Sequence, residues 1–399
     1  RLAGWDGAAS AEGPFRWTVF NSAFFDQTGL VRIPAQAEFG EGAWTGADGS
    51  ALQAERIGDV WQVKVEDIPA MGCAAIVWHP EARTTASDSS PFVYRERSLT
   101  TPHYELEWND AGQLTRIYDR EAGREVLADG QAGNVLQVFE DKPLNYEAWD
   151  IDIFYQEKQR AVEQLKAVEL EECGALRAVV RFKWSYMDST ISQRLIVYAD
   201  SRRIDFETEV DWHEPKQLLK AAFPVTVRSA EATFDIQFGN VKRPTHWNTG
   251  WDYARFETVG HQWADLSERG YGVSLLNDCK YGYDVKDNVL RLTLIKSATH
   301  PDPHADLGFH EFTYSLLPHA GDWVDGGTVQ EAWALNNPLT WTEGASAFAG
   351  RSLLKLDAPN IMIDAVKKAE VGDGLIVRLH EFTGARGKVR LTSDFPLTG

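Results

Sequence analysis

Polar and apolar residues alternate along much of this chain with the two-residue period of a half-buried β-strand. The segment Arg177-Ala-Val-Val-Arg-Phe-Lys-Trp-Ser-Tyr186 alternates over most of its length, and 191–198 and 203–212 continue the pattern. With turns expected at 187–189 and 199–201, the three read as an antiparallel meander. Segments with a 3.6-residue period are almost absent. The best helical candidate, 161–170, reads tolerably as a strand too. Proline and glycine interrupt the remainder at short intervals, so the pattern predicts an all-β protein built from sandwiches.

Texture divides the chain further. Residues 1–14 are rich in Ala and Gly and read as a linker. Residues 15–97 hold short strands at 17–20, 29–33, 60–65 and 74–78, which suit a small immunoglobulin-like sandwich. Within that stretch, 84–90 reads as a flexible Ser/Thr loop. Residues 98–328 carry longer and more numerous strands, as a large two-sheet sandwich requires. Gly326-Gly327 and a loop at 336–340 lead into a C-terminal β-unit, 329–399. There 360–366 and 374–380 make a hairpin around Gly372-Asp-Gly374.

Length and composition add bounds. A chain of 399 residues exceeds one ordinary core. No apolar run approaches the roughly 18 residues that span a bilayer, so no membrane partner is expected. The formal charge of -19 repels polyanions, which argues against nucleic acid as a partner. Cys73, Cys173 and Cys279 form no C-x-x-C pair. They read as free thiols in a reducing compartment, hence a cytoplasmic location. The chain opens at Arg1 without an initiator Met and closes at Gly399, and both ends read as cut from a longer polypeptide.

Motifs of common catalytic machinery are missing: no G-x-S-x-G, phosphate-binding loop or H-E-x-x-H occurs. With 59 acidic residues, carboxylate pairs are too plentiful to be informative. The cluster His300, Asp302, His304, Asp306 and His310 has metal-like composition, but its prolines suit a polar surface loop better. Aromatics are the stronger oddity, with 15 tryptophans. A sugar offers a weakly apolar face and a rim of hydroxyls, which an aromatic ring beside carboxylates or Arg complements. Two stretches have that composition: Asn145-Tyr-Glu-Ala-Trp-Asp-Ile-Asp152 and 246–256, which holds Trp251, Asp252 and Arg255. The alternative for any single Trp is a place in a sandwich core. For Trp149 the flanking carboxylates and nearby Pro143 favour a loop. For the second stretch the alternative is a Trp–Arg stack with an Asp partner that stiffens an edge.

The same stretches carry a family resemblance. Glu140-Asp-Lys-Pro-Leu-Asn-Tyr-Glu-Ala-Trp-Asp-Ile-Asp152, the run from Phe234 to Glu257, Leu275–Gly282 and His310–His319 resemble glycoside hydrolase family 38 α-mannosidases of the cytosolic-type branch. Val19-Phe-Asn21 and Ala365–Glu370 resemble the start and close of that family's β region. The resemblance implies a large supersandwich of galactose-mutarotase-like type. It also implies a parent enzyme that removes terminal α-linked mannose with retention. In the family, an Asp nucleophile, a carboxylic acid and a divalent metal, usually zinc, sit in an N-terminal barrel. No segment here matches that barrel, so the resemblance assigns this chain no catalytic residue and no metal ligand. It implies instead that the barrel is the chain's own partner and that a β-region loop reaches the mannoside. Trp149 and Asp150, with Tyr146 and Asp152, fall at that loop; Trp251, Asp252 and Arg255 form a second group. The isolated chain is expected to be inactive. A stand-alone carbohydrate-binding module and a structural or homo-oligomerising scaffold are the rival readings.

Overall fold

The computed structural model describes residues 15–35, 42–80 and 90–396. The linker expected at 1–14 and all but the last residue of the 84–90 loop lie outside the described residues. Contacts divide the chain into two units, one of Arg1–Ser89 with Trp333–Gly399 and one of Ser90–Ala332. Both are built of strands, as the period-2 pattern requires.

The first unit packs one sheet, ordered Thr340–Glu343, Phe15–Asn21, Gly72–His79, Arg351–Ser352 with Ala43–Gly46 also on Gly72–His79, against the three strands Gln27–Pro34, Val60–Ile68 and Ala54–Ile57. Alternate residues of these strands fill its core, including Val19, Val31, Val63 and Ile76. Four tryptophans meet there ring on ring. Centroids lie 4.9 Å apart for Trp17–Trp44, 5.4 Å for Trp44–Trp78 and 4.8 Å for Trp61–Trp78. These rings are core, not platform.

Three units are expected from texture; two are found. The stretch 329–399 does not stand apart, because Thr340–Glu343 pairs with Phe15–Asn21 and Arg351–Ser352 with Gly72–His79. Thr18 locks the junction, donating its hydroxyl to Gly344 O at 2.9 Å and accepting from Ser346 N at 3.0 Å. A returning chain satisfies the backbone groups of an otherwise open edge, a long-range pairing that local pattern does not reveal. Beyond it, Ile361–Lys368 and Leu375–Glu381 form the expected hairpin.

The second unit has three sheets around one core. The expected meander lies in a nine-stranded sheet as Arg177–Tyr186, Ser189–Tyr198 and Ile204–Trp212. Tyr186 opposes Ser189, leaving a two-residue turn in which Met187 takes φ 48°. The ambiguous 161–170 segment is strand: Gln164–Cys173 pairs with Arg177–Tyr186, and Glu169, Glu171 and Glu172 face Lys183, Arg181 and Arg177. Cross-strand ion pairs and ladder hydrogen bonds outweigh a weak helical pattern. A six-stranded sheet runs Gln159–Ala161, Val135–Glu140, Gln217–Pro224, Val289–Lys296, Gly282–Lys286, Thr258–Val259. Phe206 of the nine-stranded sheet meets Phe223 of the six-stranded one at 5.7 Å, and burying one such ring is worth roughly 1.5–3 kcal/mol. The third sheet, of five strands between Val93 and Glu125, joins through Trp108 against Phe182 at 5.4 Å.

One helix escapes the pattern. Thr328–Asn336 has nine residues, about two and a half turns, too few for a 3.6 period to declare itself. Among the described residues no helix is long and apolar enough to cross a membrane.

Candidate functional site: two aromatic loops on a buried ion network

The site begins with one strand. In Gln217–Pro224 the residues Leu219, Ala221 and Phe223 point into the sandwich core. Alternation turns Leu218 and Lys220 to the sheet's other face. That face is also buried, for Leu218 packs with Phe139 and Tyr155, flanked by Ile151 and Phe256. Tyr155 belongs to a one-turn helix, Ile153–Glu157, that ends the loop after Val135–Glu140. Phe256 and Glu257 end the loop that precedes Thr258–Val259. Two loops therefore close over one patch of sheet.

Lys220 lies beneath them with no solvent exposure. Its ammonium pairs with Glu257 and donates to Asp284 Oδ2 at 2.8 Å and to the Tyr155 hydroxyl at 3.2 Å. That hydroxyl donates to Glu257 Oε1 at 2.5 Å. Arg291 donates to the other oxygen of Asp284 at 2.8 Å and to Gln137 Oε1 at 3.0 Å. Two cations and two carboxylates balance, which is the condition for keeping charge out of water. Burial disfavours the Lys220 charge, yet Asp284 and Glu257 outweigh it and hold the ammonium above its ordinary pKa. Burial raises Glu257, and Lys220 offsets this only in part. Burial pushes Asp284 up as well, but Lys220 and Arg291 together leave it lowered.

From this base the first loop, 141–152, rises to an exposed aromatic tip. Tyr146 takes φ 56°, and its carbonyl accepts from Trp149 N at 2.8 Å and Asp150 N at 2.9 Å. The turn sets the two rings edge to face at 6.4 Å, with Tyr146 67% and Trp149 69% exposed. Between them Glu147 turns inward. It pairs with Lys216 Nζ at 2.7 Å and accepts from Thr299 N at 3.0 Å and Thr299 Oγ1 at 2.8 Å. Lys216 and then Thr299 lower its carboxyl to about 2. Asp141, raised by burial in spite of its pair with Lys296, ties down the loop's start. Asp152 accepts from Leu144 N at 2.8 Å and so serves the loop itself. Asp150 is exposed beside Trp149.

The second loop holds Trp251 at 80% exposure on the four-residue helix Gly250–Tyr253. Thr249 Oγ1 accepts from Asp252 N at 3.1 Å and donates to Asp252 Oδ2 at 2.8 Å. Thr249 thus caps the helical turn and Asp252 holds the cap in place, with His246 Nδ1 at 3.7 Å from its carboxylate. The alternative of a Trp–Arg stack with an Asp partner is not formed: Trp251 and Arg255 are both exposed, and Asp252 serves Thr249. Trp247 and Tyr253 meet edge to face at 5.4 Å. The two groups of candidate residues are thus joined at their bases by Tyr155, Phe256 and Glu257. At the tips, Tyr146 touches Trp149 and Trp247 touches Tyr253.

Sequence reasoning passed over Glu147, Tyr155, Lys220 and Glu257, which do the holding. Lys220 leaves a signal, being the one charge within the apolar run 218–223. Among the described residues no three His, Cys, Asp or Glu side chains are grouped as metal ligands would be. In the 300–310 loop, His310 Nε2 instead meets Asp306 O at 2.8 Å, and Asp302 accepts from His304 N at 2.9 Å.

Fold and loops together describe an all-β scaffold that presents exposed aromatics beside carboxylates, a chemistry suited to saccharide faces. The chain belongs to glycosyl hydrolase family 38: residues 99–304 match the model of that family's C-terminal domain. Residues 360–399 match its C-terminal beta sandwich domain. Alpha-mannosidase 2C1 of Homo sapiens is 36% identical over 341 residues, 83% of this chain and 33% of that protein. Alpha-mannosidase G of Dictyostelium discoideum is 38% identical over 294 residues, 71% of this chain and 27% of that protein. The chain thus spans about a third or less of these relatives. A family 38 protein from Enterococcus faecalis shares the fold, with TM-score 0.77 at 14% identity over 98% of this chain and 55% of that one.

Proposed function

We propose that this chain is the C-terminal β region of a retaining α-mannosidase that acts on terminal α-linked mannose, and that its 141–152 loop faces the sugar. The large sandwich packs on the enzyme's catalytic barrel, where the divalent metal and the reacting carboxylates reside. The observation that carries the reading is the tip of that loop. Trp149 and Tyr146 are held open to solvent while Glu147, half-buried between them, fixes their backbone through hydrogen bonds with Lys216 and Thr299. An ordered aromatic in water is poised for a ligand, since an unoccupied one gains by folding inward. Asp150, beside it, suits a hydroxyl rim. Such contacts position substrate and act on turnover as well as binding. The cytoplasmic assignment is supported by the free thiols of Cys73, Cys173 and Cys279.

In the full-length enzyme, Trp149→Ala lowers kcat/KM at least several-fold, read by steady-state hydrolysis of an aryl mannoside. Wild-type kinetics would remove the loop from the site. The rival reading, an autonomous carbohydrate-binding module, requires the chain alone to bind mannosides at about millimolar Kd or tighter. Isothermal titration with mannobiose separates the two.

A further inference from the structure

A second feature of the large unit lies outside the aromatic tips. At the corner where the edge of the six-stranded sheet meets the turn after Arg177–Tyr186, a cavity of about 320 Å³ opens to solvent. Its wall includes Lys142, Lys158, Arg160 and Lys216, the Tyr186 ring and a single carboxylate, Glu140. In a chain of net charge -19, four cations against one anion is a marked local reversal. The volume is at the lower end of the range for small-molecule sites.

The charges are not quenched by their surroundings. Glu140 Oε1 is shared by Lys158 at 2.9 Å and Lys142 at 3.1 Å, one carboxylate for two ammoniums. Lys216 is committed to Glu147. Arg160, exposed on the edge strand opposite Val138, has no ion-pair partner among the described residues. Even with Lys216 discounted, three cations surround one carboxylate. The Tyr186 hydroxyl, which donates to Gln217 Oε1 at 3.1 Å, gives the wall a polar aromatic side. A planar guanidinium with two flexible ammoniums around a small concavity matches a compact, multiply charged oxyanion, which Arg grips bidentately and Lys as point charges.

We propose that this cavity is a binding site for a phosphate group, either free or carried on a sugar. Arg160 and Lys158 make the principal contacts. The proposal does not rest on the aromatic loop facing substrate; kinetics of Trp149 variants leave it untouched.

The test titrates the intact chain with inorganic phosphate and with mannose 6-phosphate at fixed ionic strength, followed by calorimetry, with mannose as the uncharged control. Fixed salt matters because exposed charges are screened within about 10 Å at 0.1 M. The expected Kd for the phosphate compounds is about 1 mM or tighter, and mannose gives no response that depends on Arg160. Arg160→Gln and Lys158→Gln each weaken phosphate binding at least five-fold, with unchanged melting temperatures because both side chains are exposed. Mannose 6-phosphate binding several-fold tighter than phosphate assigns a sugar-borne group; equal affinities assign the free ion. Absence of saturable binding by either compound, or full affinity in both variants, overturns the site.

Discussion

The 141–158 loop and the 245–257 loop share a base at Tyr155, Phe256 and Glu257, yet their exposed tips are held differently. In the first, an acidic side chain from the tip itself reaches back into the fold: Glu147 joins Lys216 and Thr299, while Asp141 pairs with Lys296. In the second, Asp252 and Thr249 bond each other with His246 3.7 Å away, so the Trp251 turn is held within its own loop. The reach to a strand is the Trp247 ring, with Lys286 Nζ 5.0 Å from its centroid. A tip tied to distant strands loses little further entropy when it meets a ligand, whereas a tip tied to itself still has freedom to lose. Exposure is similar at Trp149 and Trp251, so exposure does not separate them; anchoring does.

The largest effect belongs to what the loops share. Lys220→Met leaves Glu257 buried with only the Tyr155 hydroxyl, whereas Asp284 keeps Arg291. Breaking a buried pair from one side costs about 3–5 kcal/mol, and urea unfolding of the large unit at neutral pH should show a loss of that order. Adding Glu257→Gln removes the stranded charge and recovers part of it. A loss below about 1 kcal/mol, inside the range of ordinary surface substitutions and mild core changes, would show that Lys220 does not join the two loops.

The next effect separates the tips. In the full-length enzyme, Trp149→Ala lowers kcat/KM more than Trp251→Ala, by at least several-fold. Equal losses in the two variants would mean that anchoring does not decide which loop serves the substrate, and a larger loss at Trp251 would invert the comparison.

The strands were legible because period 2 is a local signal, and the meander over 177–212 needed nothing beyond it. The return of 340–343 to Phe15–Asn21 was not, since an edge partner more than 300 residues away leaves no mark on either strand. Tryptophan shows the same limit at the site. Trp44 and Trp78 lie in strands and pack on each other, while Trp149 stands exposed in a Pro-led, carboxylate-rich stretch whose composition marks it as a loop rather than a strand centre. Yet Asp152 and Asp252, which composition offers for a sugar rim, are occupied by Leu144 N and Thr249. Glu147 looked like one carboxylate among 59. Its partners, Lys216 and Thr299, are brought to it only by the sheet.

The smallest effect concerns acid. Glu147, lowered to about 2, contributes anchoring that is complete above the ordinary carboxylate range and fades as pH falls toward that value. Glu257 has the opposite sign: its raised carboxyl favours the folded state while protonated, and this contribution is lost as pH rises through its pKa. On acidification the base therefore takes up a proton first, and the first tip is held last. Amide protection factors for 144–150 should persist to about pH 3, where Glu147 is still largely ionised. Glu147→Gln should raise exchange there several-fold at every pH, leave residues 247–255 unchanged and scarcely alter the melting temperature. If Glu147→Gln instead leaves exchange at 144–150 unchanged, or raises it equally at 247–255, the two loops are held by their common base alone and Glu147 does not distinguish them.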